Sequence, residues 1–98
     1  MFKIFVSMKS LSYEELIAFI NEELTIPNNP RVINCFSKKN PDDQHKFIII
    51  EDDITITKPW QGGPQNLYKG DYLHADVKDI FGIESFIFKR CFSPMASN

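Results

Sequence analysis

The last third of the chain constrains its fold more than any other part. Tyr68-Lys69-Gly70-Asp71-Tyr72-Leu73 leads on to Phe81-Gly82-Ile83-Glu84-Ser85-Phe86-Ile87-Phe88-Lys89-Arg90-Cys91-Phe92. Glycine tolerates positive φ, and aspartate accepts hydrogen bonds from nearby backbone amides. Gly70-Asp71 therefore predicts a structural turn that feeds a strand from Asp71 to His74. A turn near Asp76 and a short strand through Ile80 to Ile83 follow. The terminal helix then starts at Glu84 or Ser85, with Phe86, Ile87, Arg90 and Cys91 at helical spacing. That segment carries Phe86, Ile87, Phe88, Cys91 and Phe92, too many apolar groups for one narrow buried stripe. The surplus at Phe86, Phe88 and Phe92 predicts a homodimer interface.

The N-terminal part has a well-marked helix start. Residues 2 to 8 are rich in Phe, Ile and Val and read as a strand. Ser12 then supplies a cap, Glu15 three residues later completes a capping box, and Leu11 with Leu16 forms a hydrophobic staple. Tyr13, Leu16, Ile17, Ile20 and Leu24 define one apolar face with Phe19 on its flank. Glu14 and Glu15 favour the positive helix N-terminus, whereas Glu22 and Glu23 stand at the wrong end. The helix must stop before Pro27.

Strands are predicted from Arg31 to Ser37, from His45 to Ile50, and after a Glu51-Asp52-Asp53 turn at Ile54 to Thr57. Alternation of Ile54 and Ile56 with Thr55 and Thr57 suits a sheet with one covered and one wet face. Lys58 to Asn66, with Pro59, Gly62, Gly63 and Pro64 around Trp60 and Gln61, predicts an irregular surface loop. The resulting order is β-α-β-β-β-β-β-α. This is a single small α+β domain over residues 1–98, with a mainly antiparallel sheet, an amphipathic N-terminal helix and a short C-terminal helix.

Composition limits the function classes. Ninety-eight residues, 43% hydrophobic, suffice for one core but not two. A net charge of −2 provides no basic footprint, so nucleic acid is not expected as a partner. Cys35 and Cys91 read as buried thiols in a reducing compartment. The apolar run at Met1–Val6 is broken by Ser7, Lys9 and Ser10, short of a signal core or a membrane span, which predicts a cytoplasmic protein without membrane contact.

Asp71 and His74 have the D-x-x-H spacing of some metal sites. However, residues three apart on a strand face opposite ways and no strong third ligand is present, so no metal or cofactor is expected. His45 and His74 read as surface or partly buried histidines. Trp60, Gln61, Gly62 and Gly63 form the best binding candidate: an aromatic platform beside amide donors, with Lys58 or Lys69 to meet a phosphate. The alternative is a Trp60 folded back over an open edge of the core. No Walker or Rossmann glycine pattern is present, and no catalytic residue is assigned.

Ile48-Ile49-Ile50-Glu51, Lys69-Gly70-Asp71-Tyr72-Leu73 and Phe81-Gly82-Ile83 with Ile87-Phe88 together resemble, in order and along the whole chain, small phage and prophage proteins with a PGDYG-like motif. Lys69 stands where that group has Pro, Cys91 and Phe92 stand around its final aromatic, and the Trp60 loop is longer. The resemblance implies phage-type ancestry and a shared fold. Small size, near-neutral charge and the lack of a convergent polar triad favour a non-catalytic accessory binding protein in a host bacterial cell, acting on a host protein or a small, nucleotide-like host signal. The alternatives are a phage structural or assembly component, and a small hydrolase-like enzyme using Asp71 and His74.

Overall fold

The computed structural model describes residues 9–58, 62–75 and 80–95. Their order is β1 (Lys9–Ser12), α1 (Tyr13–Thr25), β2 (Val32–Ser37), β3 (Gln44–Ile49), β4 (Ile54–Thr57), β5 (Gln65–Leu67), β6 (Tyr72–His74), β7 (Gly82–Ile83), α2 (Ser85–Cys91) and β8 (Phe92–Pro94). The strand expected at residues 2 to 8 and the turn near Asp76 lie outside the described residues. The fold is α+β, with an amphipathic N-terminal helix, a short C-terminal helix and mainly antiparallel pairing.

The strands form two sheets. One has the order β1-β4-β5 and the other β7-β6-β3-β2-β8. Only β1 and β4 run parallel among the described pairs, in the register Leu11↔Ile56. The short Ile50–Asp53 link thus carries the chain from the larger sheet into the smaller one.

Side-chain alternation lets the five-stranded sheet serve two cores. Ile48 and Leu73 face one way and pack with Leu16 and Ile20 of α1 and Ile54, Ile56 and Leu67 of the smaller sheet. Phe47 and Tyr72 face the other way and pack with Cys35, Phe88 of α2, Phe81, Ile83 and Phe92. Each fully buried Leu or Ile contributes about 1.5–3 kcal/mol relative to exposure.

Local chemistry explains the ends of α1. The Glu15 amide donates to Ser12 Oγ at 3.2 Å, and the Ser12 amide donates to Glu15 Oε1 at 3.0 Å, which closes the capping box. At the other end the apolar face stops short: Leu24 is exposed, and Glu23 is buried instead. Arg31 makes that burial tolerable. Its Nε and Nη2 donate to the two Glu23 oxygens at 2.6 and 3.2 Å. Asn29 Nδ2 donates to the Glu23 carbonyl at 2.9 Å, satisfying one of the orphan acceptors of the helix end.

Several expectations are corrected. The segment ending at Asn66 is not wholly irregular, because β4 supplies a pairing partner and draws Gln65–Leu67 into β5. Phe92 does not continue the terminal helix: its backbone is extended (φ −130°, ψ 153°), and it pairs opposite Ser37 in β8. Cys91 is an exposed thiol rather than a buried one, whereas Cys35 is buried, and both are free.

The two sheets are joined at Gly82. Gln65 Nε2 donates to the Gly82 carbonyl at 3.2 Å, and the Gly82 amide donates back to Gln65 Oε1 at 3.4 Å. A Cβ at Gly82 would lie 2.3 Å from Cδ2 of buried Leu67, so this crossing demands glycine.

Candidate functional site

Lys58 and Lys69, nominated beside Trp60, stand in different settings, one buried and one exposed. Trp60 and Gln61 lie outside the described residues. Gly62 and Gly63 are exposed, with open space where a Cβ would stand. The expectation that Lys58 meets a phosphate is corrected. Lys58 is only 5% exposed, and its Nζ donates to the Ile80 carbonyl, inside the larger core. Lys69 is exposed, and its amide donates to Asp53 Oδ1 at 2.9 Å.

Gly70 and Asp71 act within a turn. The Asp71 amide donates to the Tyr68 carbonyl at 2.9 Å, and Gly70 has φ 96°. Positive φ at the third position of such a turn is the type II pattern, which glycine adopts without a Cβ clash. Asp71 Oδ2 accepts the Tyr68 amide at 2.9 Å, and Oδ1 accepts the Ser85 amide at 3.2 Å. Glu84, the residue in the N-cap position of α2, makes no side-chain cap. The Asp71 carboxylate therefore caps α2 from a different element and is committed to backbone donors.

His74 meets a different partner. His45 Nδ1 and His74 Nε2 are 2.9 Å apart, and His45 Nε2 is 2.9 Å from Asp43 Oδ2. The two rings stand on adjacent strands and one sheet face, since His74 is opposite Phe47 and His45 lies two residues before it. His74 is 4% exposed, stacked on Phe81 with ring centres 4.6 Å apart. Sequence reading missed this Asp43–His45–His74 relay because its signal is the β3–β6 register, which a single strand does not disclose.

The proposed interface trio divides. Phe88 is 2% exposed, stacked on Tyr72 at 3.8 Å between ring centres, and Phe92 packs beside Phe47 at 4.9 Å. Both belong to the inner aromatic cluster, which absorbs most of the apolar surplus. Phe86 alone faces outward, at 58% exposure. Lys89 and Arg90, three and four residues on, share that face of α2. Lys38 adjoins it, with its amide donating to the Cys91 carbonyl at 2.9 Å and its Nζ to the Lys89 carbonyl. Lys39 follows it in sequence. Among the described residues no carboxylate lies within 4.0 Å of Lys38, Lys39, Lys89 or Arg90.

A separate cleft of about 250 Å³ beside Arg31 is lined by Lys9, Phe19, Glu23, Glu51 and Asp52 among others. Its charges are partly consumed internally, since Arg31 also lies 3.9 Å from Glu51. Among the described residues no three His, Cys, Asp or Glu side chains group to hold a metal, and no helix is long and apolar enough to cross a membrane. Set against protein-family models, curated proteins and solved structures, the chain matches none.

Proposed function

We propose that the protein is a non-catalytic accessory binding module of the phage type its sequence resembles, and that it engages an acidic surface of a host protein through the outer face of α2. The observation that carries this reading is Phe86, 58% exposed on the same helical face as Lys89 and Arg90. Basic residues in a last helical turn are ordinary complements of the helix dipole. An exposed phenylalanine one turn before them is not accounted for in that way. Aromatic residues and arginine are enriched at protein interfaces, and a cationic rim steers an acidic partner.

A glutamate-rich, fluorescein-labelled peptide with a central leucine serves as the probe, with oligothymidylate and a cyclic dinucleotide in parallel. Salt-sensitive binding of the peptide that a Lys89→Glu/Arg90→Glu variant abolishes supports the reading. Binding of the cyclic dinucleotide or of oligothymidylate in place of the peptide, or of none of the three, overturns it.

A further inference from the structure

We propose that the cleft between α1 and the Ile50–Asp53 link is a second binding site, separate from the outer face of α2, and that it takes a free α-amino acid with an apolar side chain. The cleft lies where the chain leaves the larger sheet for the smaller one. The end of β3, the start of β4, β1 and one flank of α1 line about 250 Å³. That is below the roughly 300–1,000 Å³ of pockets that hold drug-sized ligands, so the occupant is a small metabolite.

The lining is sorted by chemistry. Its buried part is apolar: Leu11, Ile50 and Ile54 belong to the core, and partly buried Phe19 adds a ring from α1. Its exposed part carries charges of both signs, Lys9 on β1 and Glu51 and Asp52 on the link. The Lys9 amide donates to the Asp53 carbonyl at 3.3 Å, which sets Lys9 beside that link. Even so, among the described residues no carboxylate lies within 4.0 Å of the Lys9 ammonium, and no cation within 4.0 Å of the Asp52 carboxylate. Opposite charges that share a cleft without closing on each other are complementary to a ligand that carries both.

Arg31 is the fixed point. Its Nε and Nη2 donate to the Glu23 carboxylate at 2.6 and 3.2 Å, and Asn29 Nδ2 donates to the same carboxylate at 3.4 Å. A guanidinium carries its N–H donors in a rigid fork, so this grip orients Nη1 without using it. Glu51 Oε1 stands 3.9 Å from Nη1, too far for a hydrogen bond, on a side chain that is 59% exposed and free to turn away. Arg31 Nη1 and Lys9 Nζ are thus donors for one ligand carboxylate, and Glu51 and Asp52 are acceptors for one ammonium. The ligand's apolar side chain is buried against Phe19 and Ile50. A fatty acid would leave the two acidic groups desolvated without a partner, and a simple amine would do the same to the two basic ones. The mixed lining therefore selects a zwitterion.

The test is a titration of the isotope-labelled whole chain with L-leucine, read by backbone amide shifts, with isoamylamine and isocaproate in parallel. These analogues keep leucine's apolar chain and lack its carboxylate or its ammonium. The cleft predicts saturable leucine shifts at Arg31, Ile50 and Asp52, none at Lys89, and a Kd of about 1 mM or tighter. Each analogue, short of one charge-assisted pair, should bind at least about tenfold more weakly. Lys9→Gln and Asp52→Asn change exposed side chains and should each weaken leucine about tenfold, whereas Lys89→Glu/Arg90→Glu should bind it like the wild type. No saturable shift up to about 20 mM leucine, shifts centred outside the cleft, or equal binding of leucine and either analogue would overturn the proposal. The wild-type comparison decides this even if a variant fails to fold.

Discussion

The Asp71 carboxylate accepts the Ser85 amide at 3.2 Å, so the turn that opens β6 also caps the first residue of α2. Two segments distant in sequence share one hydrogen-bond acceptor. Asp71→Ala should cost about 1–2 kcal/mol in urea unfolding, the usual effect of deleting a cap. Asp71→Asn retains one acceptor oxygen and should cost less. Equal stability of the alanine variant and the wild type would remove the capping role.

Lys69 holds the second position of the same turn. Proline at the second position of a type II turn is favoured because its φ is preset. Here the Lys69 amide donates to Asp53, and proline would delete that donor. Lys69→Pro should therefore destabilise the wild type but stabilise an Asp53→Ala background, which a double-mutant cycle measures directly. Gly70→Ala should cost about 1–2 kcal/mol in either background, since φ 96° brings a Cβ against the carbonyl.

Gly82 joins the two sheets by close approach. Gly82→Ala should cost about 1–3 kcal/mol because the new methyl meets Leu67 with little room to yield. Leu67→Val in the same chain should recover part of that loss. Additive costs in thermal melts would place the strain elsewhere.

Glu23 gives the fold an acid limit. Hydrogen bonds from Arg31 hold its carboxyl below the ordinary value of 4.5, outweighing burial, which acts the other way. Its folded value is depressed, so the stabilisation is complete above the unfolded value and fades as pH falls through the folded one. Glu23→Gln should be less stable at neutral pH and should lack this part of the acid slope. Arg31→Ala should lower the melting temperature at neutral pH, because it leaves a buried carboxylate without its cation.

What was legible in the sequence was local. Ser12 and Glu15 announce the start of α1 because both partners of the capping box sit within one helical turn. Ile54 and Ile56 disclose the covered face of β4 by alternation alone. Glu23 at a helix C-terminus looked unfavourable until Arg31, reached only through the chain reversal at Asn29, supplied its counter-charge. The rest depends on long-range placement. Nothing near Ile50–Asp53 reveals that β3 and β4 enter different sheets. Lys58 looked like a surface cation because its acceptor, the Ile80 carbonyl, lies far along the chain. Phe92 looked helical because its strand partner is in β2, and the histidine relay required the order of β3 and β6.

The most direct test of the account is the anisotropy of the labelled glutamate-rich peptide titrated with wild type, Phe86→Ala and Lys89→Glu/Arg90→Glu, at low and at high salt. The α2 face predicts saturable binding that weakens with salt in the wild type. Phe86→Ala should lower affinity at both salt concentrations while melting within about 0.5 kcal/mol of the wild type, as exposed substitutions do. The charge reversal should remove binding and cost about 1–2 kcal/mol through the helix dipole while the protein stays folded. Equal binding by the three proteins, or none by any of them, would contradict it.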